Sequence, residues 1–213
     1  MHRVSAPPLL LDLLIVLPAL AVALALRPWR AVGAGGPPWP WLAWWAVLPL
    51  LWGADHYAHM PIVQPLSGAA LLVLCAGWPL AMLALVPAAA LTATLADLGA
   101  VEGLHRLAWL GVVPGSLALL GGLALRRWLP RHLFIYILGR GFFVTLAAVA
   151  LAGALALAAT GTLRGTSDED LLLARGLAAS GEAFITGMLT AIFVAFRPQW
   201  LATYTDRMYL PKD

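Results

Sequence analysis

The chain has 213 residues, of which 62% are hydrophobic and only 11% charged, with a formal net charge of +3. Soluble domains carry roughly 25% charged residues, so this composition excludes an ordinary soluble domain and predicts one integral membrane domain spanning residues 1–213. The basic residues sit singly or in pairs at the ends of apolar runs, which excludes a nucleic-acid surface and makes them topology markers.

A spanning helix needs about 20 apolar residues. The first such run covers about residues 8–26, after Met1-His2-Arg3, and contains Asp12. Ala21-Val22-Ala23 also suits a signal-peptide cleavage site. The length of the run, Asp12, and the trailing Arg27 and Arg30 favour a retained first helix. A Gly/Pro loop over residues 33–40 leads into a segment bearing Trp39, Trp41, Trp44, Trp45 and Trp52, where an aromatic belt with lipid-facing bulk is the plain expectation. A polar break follows from Gly53 to Pro61.

Residues 66–96 are too long for one span, and Gly77-Trp78-Pro79 interrupts them. Proline removes a backbone donor and disfavours helix at the residue before it, so a break is expected there. Two short helices and a re-entrant hairpin both satisfy the pattern. The fifth segment, about residues 105–125, contains Gly111-Val112-Val113-Pro114-Gly115 and should kink. A sixth covers about 133–159, with Arg140 between Gly139 and Gly141. The last begins near Leu171 and holds Glu182 among apolar residues. The fold class is therefore an all-α transmembrane bundle of six to seven helices, one broken or re-entrant. With seven alternating segments, most arginines share one side. That side is the cytoplasm of a bacterial inner membrane by the positive-inside rule, with the N-terminus outside and the C-terminus inside.

Ionisable residues at membrane depth are functional or paired. Asp12, Arg140 and Glu182 are the buried set, and an Arg140–Glu182 pair would lower the cost of both. Alternatively Glu182, Thr186 and Thr190 form a polar column. Ala179, Ala183, Gly187, Ala191 and Ala195 make a small-residue ridge suited to close helix packing. In the outer set, His56 and His59 stand three apart beside Asp55 and Met60, and His2 and His105 lie on the same side. The terminal amine of Met1 with His2 suits late first-row divalent ions. Cys75 is the only cysteine, which removes disulfides, thiolate zinc sites and iron–sulfur clusters; haem remains open through five histidines. No Gly-x-Ser-x-Gly, His-Glu-x-x-His or nucleotide-binding Gly-x4-Gly-Lys-Ser/Thr motif occurs, so no enzyme activity is expected.

Residues 129–136 (Leu-Pro-Arg-His-Leu-Phe-Ile-Tyr), Gly139 to Phe143, Glu182 to Met188 and Arg197 to Tyr209 resemble the CbiM-like permeases. These are substrate-binding membrane components of energy-coupling factor cobalt and nickel transporters. Gly68 to Leu71, Gly77-Trp78-Pro79 and Leu110 to Val113 resemble the family's inner segments. The resemblance covers about residues 66–209 and implies about seven helices with an extracellular N-terminus that folds inward onto the metal. It implies Co(II) or Ni(II) as cargo, Met1 and His2 as ligands, and a transmembrane coupling subunit and cytoplasmic ATPases as partners. The chain departs from the family after Met-His, where Arg3-Val4 replaces an acid-Gly pair. The family's internal histidine position holds Pro65, leaving His56 or His59 to substitute. The other function class compatible with the sequence is a non-catalytic accessory or assembly subunit of a larger membrane complex.

Overall fold

The computed structural model describes residues 9–30, 32, 39–57, 65–160 and 168–209. Met1, His2, His59 and Met60 fall outside this set. The described chain is helical: α1 Leu9–Ala25, α2 Trp39–Trp52, α3 Ala54–Tyr57, α4 Ala69–Ala76, α5 Trp78–Leu95, α6 Ala100–Trp128, α7 Ile135–Ala159 and α8 Asp168–Phe196. Among the described residues five stretches are long and apolar enough to cross a membrane, and α2 is a shorter apolar helix. Their outer faces carry Leu10, Leu14, Leu173, Leu177 and Phe184 largely exposed. The chain is a multi-pass membrane protein.

Two wide turns mark where the sequence resists a regular helix. The segment expected to kink at Gly111–Gly115 continues through a π-helical stretch, Leu107–Val112, directly before Pro114. A wider turn absorbs the proline's missing donor without breaking the helix. A second π-helical stretch, Ile135–Phe143, carries Gly139-Arg140-Gly141 at the start of α7.

The expected break in residues 66–96 falls at Gly77, with φ 80° and ψ 151°, a conformation essentially reserved for glycine. The outcome is a half-helix. α4 has only eight residues, about 12 Å at 1.5 Å per residue, and is entered through the irregular residues 65–68, of which Gly68 is left-handed. Ala69 to Cys75 are all 3% exposed or less. Irregular backbone at membrane depth is tolerated only where protein covers it, and here α2, α5, α6 and α8 do so.

Connectivity and contacts fix two ends of the bundle. α4 ends and α5 begins at one end, where the segment after α8 binds Cys75. α5 ends and α6 begins at the other, where His105 meets Asp12 at the start of α1. Arg27, Arg30, Arg126, Arg127, Arg131 and Arg197 consequently share the first end. Asp55, Asp97, Glu102, Glu169 and Asp170 share the second.

The small-residue ridge holds in part. Ala179, Ala183 and Gly187 are buried, whereas Ala191 is half-buried and Ala195 exposed. A β-carbon on Gly187 would sit 3.2 Å from Phe142, and one on Gly141 would sit 3.1 Å from Thr190, so α7 and α8 touch nearly backbone to backbone.

Candidate functional site

Glu182 does not pair with Arg140. Its Oε2 accepts the Ser67 backbone N–H at 2.7 Å and its Oε1 accepts that of Gly68 at 2.9 Å. The Gly68 N–H is among the donors that a helix start leaves without intrahelical partners, and that of Ser67 belongs to the irregular backbone just before it. The carboxylate also faces the positive end of the α4 dipole. Ser67 Oγ takes the next donor, Ala69 N–H, at 3.1 Å. The expected ion pair is therefore corrected: Glu182 caps a half-helix from a neighbouring element, and backbone dipoles replace the guanidinium.

The loop carbonyls are satisfied the same way. Trp52 Nε1 donates to Ser67 O at 2.7 Å, and Trp44 Nε1 to Gly68 O at 2.8 Å. Trp45 Nε1 reaches Ala84 O at 2.7 Å. The aromatic-belt expectation fails for these residues, with Trp41 and Trp52 buried inside the bundle. The indoles of Trp44 and Trp52 thus satisfy carbonyls of the irregular backbone before α4, as backbone at membrane depth requires, whereas the Trp41 indole N–H is buried without a partner.

The far end of α4 is closed by the chain beyond α8. Ala202 N–H donates to Cys75 O at 3.2 Å, and Thr203 Oγ1 donates to Leu74 O at 3.1 Å. Tyr136 and Thr203 hydroxyls share a bond of 2.8 Å. Thus α8 and its tail cap both ends of α4. The polar column below Glu182 is less committed to a ligand than expected. Thr190 Oγ1 donates to its own helix at Thr186 O, while the Thr186 hydroxyl is buried without a partner.

A second polar constellation occupies the acidic end. Asp12, fully buried in the first turn of α1, accepts Trp109 Nε1 at 2.9 Å and meets His105 Nδ1 at 3.0 Å. To donate to the carboxylate, His105 must carry its proton on Nδ1. In the neutral ring that leaves Nε2 as an acceptor, the arrangement by which carboxylates orient metal-binding histidines. The side chain of His105 is 20% exposed. Next to it, Arg106 makes a bidentate pair with Asp55 at 2.8 and 2.7 Å, adds Glu102 at 3.1 Å, and donates to Trp52 O. Partial burial opposes ionisation of Asp55, but Arg106 and His56 outweigh it and hold the carboxyl below its usual range.

Of the sequence candidates, His56 stands exposed beside Asp55 at 3.3 Å, while Met1, His2 and His59 lie outside the described residues. Asp12 and His105 come together; Glu182 and Arg140 do not. Among the described residues no group of three His, Cys, Asp or Glu side chains converges on one point. The sequence places His105 in the outer set but does not pair it with Asp12, although a carboxyl inside an apolar run requires a partner and His105 sits at the matching end of α6. The chain matches no family model, no curated protein and no solved structure.

Proposed function

We propose that the protein is the membrane-embedded substrate-capture component of an importer for a divalent transition-metal ion, Co(II) or Ni(II), of the energy-coupling factor type. The observation that carries the reading is the Asp12–His105 dyad, a carboxylate-oriented imidazole at the acidic end of the bundle. His56 stands at the same end, linked through the Asp55–Arg106 pair. Leu9 begins α1 at that end as well, while Met1 and His2, the further candidate ligands, lie outside the described residues. Nitrogen donors of this kind suit the late first-row ions. The arginine-rich end faces the cytoplasm of a bacterial inner membrane by the positive-inside rule, leaving the capture end outside. ATP hydrolysis would come from cytoplasmic ATPases through a coupling subunit, since the sequence carries no nucleotide-binding loop.

Isothermal titration of the full chain in detergent with Co(II), Ni(II) and Cu(II) tests this. Saturable binding should weaken in His2→Ala and His105→Ala, and Asp12→Asn, which removes the carboxylate that orients the His105 ring, should cost about 10–100-fold. Equal, weak heats from wild type and His2→Ala would sink the metal site.

One observation favours the accessory-subunit reading. A groove of about 650 Å³ where α5 meets α6 carries the exposed Ala90, Thr94 and Ala100, small residues that another helix could approach, while Ala89 and Gly103 beneath pack α5 against α6. Purification in gentle detergent with mass spectrometry separates the two: an ATPase and a coupling subunit support transport, and other membrane-complex subunits support assembly.

A further inference from the structure

Arg140 is the buried charge left over once Glu182 is assigned to the half-helix. It is 6% exposed, and its Nε is buried without a hydrogen-bond partner. The guanidinium lies flat on α6 because Gly122 leaves room for it; a β-carbon there would fall 2.7 Å from Nε and 3.0 Å from Cζ. The Tyr136 ring centroid is 6.0 Å from Cζ on another side. Among the described residues no carboxylate forms an ion pair with it, so a cation at lipid depth lacks the partner that normally lowers its cost.

Arg140 opens onto a small pocket at the basic end of the bundle, lined also by Arg126, Arg131, Tyr136 and Tyr209. The space is about 10 Å³, enough for one water-sized atom. Arg131 is exposed. The pocket thus admits a single oxygen beside a buried guanidinium, with the exposed guanidinium of Arg131 in its lining. A tetrahedral anion fits that pattern: one oxygen enters and the others face Arg131. Guanidinium is the side chain best matched to phosphate, through charge-assisted bonds from a planar fork. Basic pockets between helices on the cytoplasmic side of membranes are also where anionic headgroups collect.

We propose that this pocket binds a phosphate group, carried by an anionic lipid headgroup or by free phosphate, with Arg140 as its buried anchor and Arg131 as its rim. The proposal is independent of the metal site at the opposite end.

Thermal unfolding of the full chain in neutral detergent, titrated separately with dioctanoyl phosphatidylglycerol, dioctanoyl phosphatidylcholine and inorganic phosphate, tests it. Phosphatidylglycerol should raise the midpoint by several degrees and phosphatidylcholine should not. Arg140→Gln should weaken the apparent affinity about tenfold or more, the loss expected for one buried charge-assisted contact. A shift with inorganic phosphate alone, lost in the same variant, assigns the site to the free anion. Equal titrations for wild type and Arg140→Gln, equal shifts with both lipids, or no shift with any of the three would overturn the proposal. Should Arg140→Gln fail to fold, the exposed Arg131→Gln replaces it: a several-fold weaker titration supports the pocket, and an unchanged one overturns it.

Discussion

At the scale of single residues, three of the buried ionisable groups found different solutions to the same cost. Asp12 took an indole and an imidazole, Arg140 lies over a glycine beside a pocket, and Glu182 took two backbone amides. The last case makes a sharp prediction. In Glu182→Ala, Ser67 and Gly68 lose their acceptors while remaining buried, and each orphaned donor costs about 1–3 kcal/mol. Glu182→Gln keeps one acceptor oxygen but turns an amide donor toward the other N–H, so its loss should lie between wild type and alanine. Thermal unfolding in detergent should rank wild type above glutamine above alanine. Metal titration of the glutamine variant should match wild type, because Glu182 serves the half-helix. A glutamine variant as stable as wild type but unable to bind metal would return Glu182 to a substrate role.

At the scale of elements, α4 separates what the sequence could disclose from what it could not. Gly77-Trp78-Pro79 announces the break, because a proline at the second position of α5 and a glycine before it are local, chemically specific signals. The spans, their ends and the anomaly of Glu182 were legible for the same reason. Its partners were not. Ser67 and Gly68 contribute main-chain N–H groups 115 and 114 residues away, and every residue except proline has one, so no side-chain pattern marks them. The tryptophans misled for a related reason: a belt and an internal hydrogen-bond donor use the same residue type at the same depth. Entry into α4 also depends on backbone that only glycine adopts comfortably. Gly68 has φ 66° and a β-carbon there would sit 2.5 Å from Leu48, whereas Gly77 has φ 80° with open space around it. Alanine at either position should cost about 1–3 kcal/mol through backbone strain. At Gly68 overpacking adds about 1–3 kcal/mol more. Denaturation midpoints should therefore fall further for Gly68→Ala than for Gly77→Ala; the reverse order would mean that Leu48 moves aside and the loop is loosely held.

At the scale of the whole molecule, charge is sorted along the bundle, and function follows from which end faces out. Arginines gather where α6 ends and α8 ends, and carboxylates gather where α1 and α6 begin. The alternation of the long helices produces this sorting, and α4, about 12 Å long, brings the chain to the basic end where α5 begins. Under the proposed orientation, Glu169→Cys lies outside and Arg131→Cys inside, both at exposed positions. The native Cys75 is buried at 2% exposure, so it provides a silent background for thiol labelling. An impermeant maleimide applied to intact spheroplasts should modify Glu169→Cys at once and Arg131→Cys only after permeabilisation, with wild type unlabelled throughout. The inverted pattern would put the Asp12–His105 dyad on the cytoplasmic face. Capture of an external ion there is physically excluded, and the phosphate pocket would then face the opposite leaflet, so one labelling experiment constrains both ends of the molecule.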